Sequence, residues 1–189
     1  MIQSRNITGG KGSKARSVTD AYFTPTSVVQ PFLNHSEAPP KECTVWEPAC
    51  GAGVMSECLK KNKYNVISSD LHQYGYKCVK QDFLAVEPIN NHMVDAIVTN
   101  PPYRDAEAFI RKALMLSPYV AMFLRLSFLE GQARSQGLWK DYPPHRVLVM
   151  GKRPTLYVHG TEAPKNGGVM AYAWFIWKRG SEEAKIEWI

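Results

Sequence analysis

From residue 43 onward, short apolar runs alternate with amphipathic stretches, and this alternation constrains the fold more than any other feature of the chain. Residues 43–46 form a short β-rich run that ends in a loop containing Pro48, Gly51 and Gly53. Val54–Lys61 has helical spacing, with Val54, Cys58 and Leu59 on one face. Residues 64–68 are a second extended run, and a third ends near Gln81. Residues 94–99 (VDAIVT) are a buried-strand candidate. Ala106–Leu116 carries Ala106, Phe109, Ile110, Ala113 and Leu114 on one stripe, with Asp105 in the N-cap position. The continuous apolar run 119–124 suits a central strand. Strands alternating with helices imply a parallel sheet covered on both faces. The last two strands, 146–150 and 170–177, have no helical pattern between them, so they are expected to pair as an antiparallel hairpin at one edge.

The chain has 189 residues and a mass of 21.3 kDa, which matches one domain. The reading divides it into a basic N-terminal arm (1–19), one domain (20–180) and a C-terminal tail (181–189). Hydrophobic residues make up 44% and charged residues 21%, which excludes a disordered chain. No stretch reaches the roughly 18 apolar residues of a membrane span. The polar N-terminus lacks the apolar segment of a signal peptide, so a cytoplasmic protein with no membrane partner is expected. Cys43, Cys50, Cys58 and Cys78 form no C-x-x-C pair and no zinc pattern, so neither a disulfide nor a metal is expected.

The first strand runs into Glu47-Pro48-Ala49-Cys50-Gly51-Ala52-Gly53. Glycines placed after a strand let the backbone turn sharply and approach a ligand. The dinucleotide fingerprint is incomplete because position 56 is Ser, and no phosphate-binding G-x-x-x-x-G-K-[ST] loop exists. By itself this G-x-G fits a plain tight turn equally well. Ser69-Asp70 ends the second strand, nineteen residues after Gly51, where a carboxylate can accept from ribose hydroxyls. Asp82-Phe83 follows the third strand, and a carboxylate beside an aromatic can hold an adenine. Taken singly, these are also ordinary turn and cap residues. Together, at the ends of three successive strands, they favour an adenosine-containing cofactor.

The fourth strand delivers Asn100-Pro101-Pro102-Tyr103. Two prolines stiffen the backbone and leave carbonyls without matching N–H groups. Rigid acceptors followed by an aromatic suit a flat ring that bears an exocyclic amine. With these residues in place, the chain resembles the class I S-adenosylmethionine-dependent methyltransferases, and among them the N6-adenine DNA methyltransferases with an N-P-P-Y motif. The resemblance covers roughly residues 20–178. It implies a Rossmann-like α/β sandwich with a mostly parallel seven-stranded sheet and a C-terminal antiparallel β-hairpin. It implies S-adenosyl-L-methionine as cofactor and S-adenosyl-L-homocysteine as product. Phe23-Thr24-Pro25, after Tyr22, is similar to the T-P motif near the methionine end of the cofactor. Glu47, Pro48, Ala49, Cys50, Gly51 and Gly53 resemble the cofactor loop. Asp70 with Leu71 falls at the ribose position, and Asp82 with Phe83 at the adenine position. Asn100, Pro101, Pro102 and Tyr103 correspond to the catalytic motif, with Asn100 also beside the cofactor. The T-P, glycine-loop, N-P-P-Y order is that of the gamma arrangement. The stretch 124–131 (LRLSFLEG) is similar to small phage or prophage versions. Sequence-specific members usually append a target-recognition domain. Here the core nearly exhausts the chain, so low or loop-based specificity is expected.

The positive charge is localised. Residues 1–20 carry a net +3, residues 131–170 a net +4, and the remainder −1, which yields the total of +6. If the sheet is parallel through 146–150, the loop 151–170 opens on the same edge as the proposed site. Lys11, Lys14, Arg16, Arg104, Arg134, Lys152, Arg153, Tyr157 and Lys165 are therefore expected to contact nucleic acid, with DNA as the first choice. Trp139 can stack on a base or pack in the core. His35, His72, His92, His145 and His159 are scattered and receive no catalytic role. The open alternatives are an RNA adenine-N6 methyltransferase, a protein-glutamine N-methyltransferase, and a silent nucleic-acid-binding subunit.

Overall fold

A computed structural model describes residues 22–88, 93–158, 168–181 and 184–189. The elements in chain order are β1 (Tyr22–Phe23), α1 (Thr26–Asn34), β2 (Thr44–Glu47), α2 (Val54–Lys61), β3 (Asn65–Asp70), β4 (Val79–Lys80) and β5 (Ala96–Thr99). They continue with α3 (Ala106–Leu116), β6 (Tyr119–Arg125), α4 (Gln132–Gln136), α5 (Leu138–Asp141), β7 (Arg146–Val149), β8 (Tyr157–Val158), β9 (Tyr172–Lys178) and β10 (Lys185–Trp188). Single 3-10 turns occupy Tyr103–Asp105 and Leu126–Leu129.

Eight strands form one sheet in the order β10-β7-β9-β6-β5-β2-β3-β4. Every pairing is parallel except the two made by β9, which runs antiparallel to both β6 and β7. The expected fold class holds, with a mostly parallel sheet and a C-terminal antiparallel hairpin. The strand count rises from seven to eight, because Lys185–Trp188 pair in parallel with β7. With two antiparallel steps between them, β6 and β7 point the same way. The chain therefore leaves β2, β3, β5, β6 and β7 on one common edge of the sheet.

The strand pleat divides the core in two. Side chains at successive positions face opposite sides of a strand. Val45, Ala96, Val98, Ala121, Phe123, Leu148, Trp174 and Ile176 meet α1 and α2 on one face. Trp46, Ile97, Val120, Met122, Leu124, Val147, Ala173 and Phe175 meet α3 and Leu138 of α5 on the other. Phe32 of α1 stacks on the fully buried Trp174 with ring centroids 4.2 Å apart. Truncating a side chain in such a layer typically costs about 2–5 kcal/mol. This double cover explains the near-continuous apolar runs of β5, β6 and β9.

Both expected long helices form at the expected bounds. In α2 the inward residues are Met55, Ser56, Cys58 and Leu59, while Val54 is half-buried at the loop junction. Asp105 stands at the N-cap of α3 as expected, but its side chain makes no capping hydrogen bond. Trp139 packs against the core: its half-buried ring meets Phe128 and Phe175, and Nε1 donates to the Leu129 carbonyl at 3.2 Å. All four cysteines are free, and the described residues hold no metal-ligating cluster. No helix among the described residues is long and apolar enough to cross a membrane.

Outside the sheet, β1 and β8 pair antiparallel as a two-stranded ribbon, with Tyr22 opposite Val158 and Phe23 opposite Tyr157. This ribbon ties the segment before α1 to the loop that leaves β7.

Candidate active site

A cavity of about 250 Å³ opens where β2, β3, β4 and β5 end, which is where ligands bind in open α/β sheets. Its wall brings together most of the sequence-predicted residues: Pro48, Ala49, Gly51, Asp70, Leu71, Asp82, Phe83, Asn100, Pro101, Pro102, Tyr103 and Arg104. A smaller adjoining recess of about 30 Å³ takes in Thr24, Glu47 and Cys50. Tyr22, Ala49, Gly51 and Tyr74 border both spaces. Pro25 is the N-cap of α1 just behind Thr24, and Gly53 is the N-cap of α2 at the base of the loop. Phe23 enters only through its backbone pairing with Tyr157.

The loop after β2 is held from β3. The Gly51 amide donates to Asp70 Oδ2 at 2.8 Å, the His72 amide donates to Asp70 Oδ1 at 2.9 Å, and the Cys50 amide donates to the Ser69 carbonyl at 3.1 Å. Asp70 therefore positions the glycine loop while lining the cavity, and each of its oxygens keeps a second lone pair for a ligand. Gly51 has φ +53, and a Cβ there would meet nothing within 4 Å. The space above it is open to a ligand. Asp82 uses Oδ1 to accept from the Leu84 amide at 2.9 Å, which leaves Oδ2 as an acceptor. Phe83 is 1% exposed and packs edge-on to Trp46 at 5.2 Å, so it is a core residue that also floors the cavity.

Glu47 is 2% exposed, and burial pushes its carboxyl up to about 8. The hydroxyl of Ser56 donates to it and partly offsets the shift, whereas the nearby Asp70 charge adds to it. Ser56 and Ser68 share a further hydrogen bond at 2.6 Å. The burial of Glu47 beside the recess thus favours the uncharged acid.

β5 ends at Thr99, and the N-P-P-Y segment follows at the cavity mouth. Asn100 Nδ2 donates to Thr24 Oγ1 at 2.9 Å, which fixes the amide and assigns its carbonyl oxygen to the other side. That oxygen is buried without a hydrogen-bond partner. So are Thr99 Oγ1 and Arg125 Nε. Buried polar atoms in folded proteins are normally paired. Unpaired groups on and beside this short segment are available to a ligand.

The Tyr103 ring is not an open platform here. Tyr22 stacks on it at 5.6 Å, and the Arg125 guanidinium lies 4.7 Å from its centroid. Burial, with Tyr172 nearby, holds its phenol well above the usual range, so it stays protonated and cannot serve as a base.

Of the basic residues expected at this edge, Arg104 lines the cavity, and Lys152 and Arg153 are exposed on the loop leaving β7. Arg134 is tied by Nε to the Phe128 carbonyl at 2.9 Å. Tyr157 is placed by its backbone on β8. Lys11, Lys14, Arg16, Lys165, His92 and His159 lie outside the described residues. Among the wall residues given no site role from the sequence are His72, Tyr74 and Gln81. They sit on the β3–β4 connection or just past β4 and belong to no motif, so no local signal pointed to them. The other described histidines, His35 and His145, line neither space. His35 pairs with Glu187 at 3.3 Å, and His145 pairs with Glu37 at 3.1 Å.

This sheet, with its cavity at the strand ends and its antiparallel β9 between β6 and β7, has the Rossmann-like methyltransferase fold. A Pyrococcus horikoshii protein described as an RNA methyltransferase is similar with a TM-score of 0.58 at 18% identity, covering 89% of this chain and 92% of that one. A modification subunit of a type I restriction enzyme from Vibrio vulnificus is similar with a TM-score of 0.65 at 12% identity, covering 89% of this chain. A type I restriction-modification methyltransferase subunit from Streptococcus thermophilus has a TM-score of 0.57 at 14% identity, covering 84% of this chain. The chain spans only 47% and 45% of the length of those two subunits. No family model matches the sequence, and no curated protein does.

Proposed function

We propose that the chain is an S-adenosylmethionine-dependent methyltransferase acting on the exocyclic N6 amine of adenine in DNA. The observation that carries this reading is the buried, unpartnered carbonyl oxygen of Asn100 at the mouth of the strand-end cavity. An exocyclic amine has two N–H groups and needs acceptors. The Asn100 side chain supplies one, and the main-chain carbonyl of Pro101 lies one residue further along a proline-stiffened segment.

The cavity suits the proposed cofactor. Asp70 and Asp82 offer carboxylates for ribose hydroxyls and an adenine amine, Phe83 offers an apolar floor, and the open space over Gly51 lets a ligand approach the backbone. In the recess, Glu47 supplies the counter-charge to a cationic ligand by releasing its proton. When bound, S-adenosylmethionine supplies an electrophilic methyl group on a sulfonium sulfur. The residues of this chain would do the rest by orientation. The Thr24 hydroxyl holds the Asn100 amide so that its oxygen, rather than its nitrogen, meets the incoming amine. Accepting from that amine localises the lone pair that the ring would otherwise delocalise. Asn100 cannot take a proton and Tyr103 stays protonated, so the proton released from the amine goes to water. Lys152, Arg153, Arg104 and Arg134 favour a polyanion as the carrier of the target. A target within a duplex would have to leave the base stack to reach Asn100.

The test is methyl transfer from radiolabelled cofactor to duplex DNA, single-stranded DNA, RNA and protein in parallel, followed by nucleoside analysis. N6-methyladenosine from RNA alone would replace DNA as the substrate. Methylglutamine in protein would replace the nucleic-acid reading, and no transfer to any of the four would leave only a binding role.

A further inference from the structure

Tyr103 borders a second cavity, of about 170 Å³, that the reading above leaves unused. It lies beyond the end of β6, under the turn Leu126–Leu129 and against α4. Two guanidinium groups face it, each positioned over an aromatic ring. Arg125 lies 4.7 Å from the Tyr103 centroid, and Arg134 lies 4.6 Å from that of Phe128. A guanidinium stacked on a ring keeps its N–H edge for other partners. Arg134 is fixed further by donating to the Phe128 and Glu130 carbonyls. Arg125 Nε is buried and has no hydrogen-bond partner. No carboxylate lines the cavity, and among the described residues neither arginine forms a salt bridge. Ser127 adds a hydroxyl to the wall.

Two fixed cations, an orphaned buried N–H and no acid describe an anion site. A compact anion with several acceptor oxygens would complete these donors bidentately. Its position identifies the source. Resting on the reading that Asn100 receives a nucleobase, a phosphodiester one sugar away from that base must lie close to Tyr103. We propose that the Arg125–Arg134 pocket binds the backbone phosphate next to the target adenosine, and that this contact orients the strand for transfer at Asn100. Arg134 is among the residues expected at nucleic acid, and Arg125 adds a second donor to that group.

The experiment pairs protein variants with oligonucleotides that carry one adenine and one uncharged methylphosphonate linkage at a defined position. Binding is measured by anisotropy and methyl transfer by labelled cofactor. Placing the neutral linkage beside the target adenine should lower affinity and kcat/KM at least tenfold for the unmodified protein. Arg125→Gln should lose a similar factor on the native strand and lose little more on the neutral one. Arg125→Lys, which retains the charge but not the bidentate fork, should lose an intermediate factor, and Arg134→Gln should repeat the Arg125→Gln pattern. Losses that multiply, or a neutral linkage that matters equally at every position, would overturn the pocket while leaving the adenine reading intact. Position-specific binding coupled to Arg125, with no methyl on adenine, would keep the pocket and overturn the adenine reading. Absence of any oligonucleotide binding would overturn both.

Discussion

Asn100 is held by one hydrogen bond through its nitrogen while its oxygen stays unpartnered. Asn100→Ala should lower turnover by at least about 100-fold, the scale seen when one preorganised polar group is removed from a reacting centre. Cofactor affinity, read by titration calorimetry, should change little, because the glycine loop, Asp70 and Asp82 are untouched. A parallel loss of both would place Asn100 in cofactor binding instead. Glu47 makes a different prediction. Its carboxyl is raised from 4.5 to about 8 by burial. A group raised in the folded state binds its proton more tightly there than in the unfolded chain. Its contribution is complete below about pH 4.5 and is lost as pH climbs through about 8. Glu47→Gln keeps an acceptor for Ser56 and removes the titration. The cofactor-free protein should then lose less Tm between pH 5 and pH 9 than the unmodified chain, as read by thermal denaturation. Equal slopes would deny Glu47 this role.

The glycine loop and α2 act together as an element, and Gly53 shows how tightly they are joined. It adopts φ +78, and a Cβ there would lie 2.3 Å from the Tyr76 ring. That ring cannot swing away freely, because Tyr76 Oη donates to Glu57 Oε1 at 2.7 Å and accepts from Lys60 Nζ at 2.8 Å. Gly53→Ala should therefore destabilise the protein by more than the roughly 1–2 kcal/mol that a left-handed backbone alone costs a side chain. Gly51→Ala meets no clash and should cost only that backbone strain, yet it should weaken cofactor binding, because its methyl would stand in the open space beside the cavity. Thermal melts with and without cofactor separate the two effects. At this scale the sequence was legible where periodicity is strong. Val54–Lys61 and Ala106–Leu116 form at the expected bounds. It was less legible at β1, β8 and β10, which are two to four residues long and partnered by distant segments.

Across the whole molecule, the edge of the sheet opposite the cavity is held by charge. Glu37, just after α1, accepts from Lys178 of β9 at 2.5 Å, pairs with His145 at 3.1 Å and lies 3.5 Å from Arg146 of β7. Arg146 in turn reaches Glu187 of β10 at 3.1 Å. Burial raises the Glu37 carboxyl, but Lys178 first, then His145 and Arg146, outweigh it and hold the group below its usual value. A depressed acid contributes stability above its unfolded pKa near 4.5 and loses it as pH falls through the folded value. Glu37→Gln should lower stability at pH 7 by roughly 1–2 kcal/mol, discounted for the solvent that reaches Lys178. The difference between variant and unmodified protein should shrink below about pH 4.5. A gap in Tm that is independent of pH would make the role one of packing alone. Because this cluster lies at the other end of the strands, the loss should leave cofactor affinity nearly unchanged.

Short-range physics determined much of the reading from residues alone. Side-chain periodicity marks strands and helices within a few residues, and a glycine loop or an N-P-P-Y segment carries its backbone constraints wherever it stands. The parallel sheet, the strand-end location of the site and the contacts of Asp70, Asp82 and Asn100 with one cavity followed from that. Tertiary structure alone decided what depends on partners far away in the chain. It turned residues 185–188 into a parallel edge strand, packed Trp139 against the core, covered Tyr103 with Tyr22 and Arg125, and joined residues 22–23 to 157–158. It also left Arg125 with a buried, unpaired N–H beside the site. Such features depend on which surfaces meet after folding, and no window of consecutive residues contains that information.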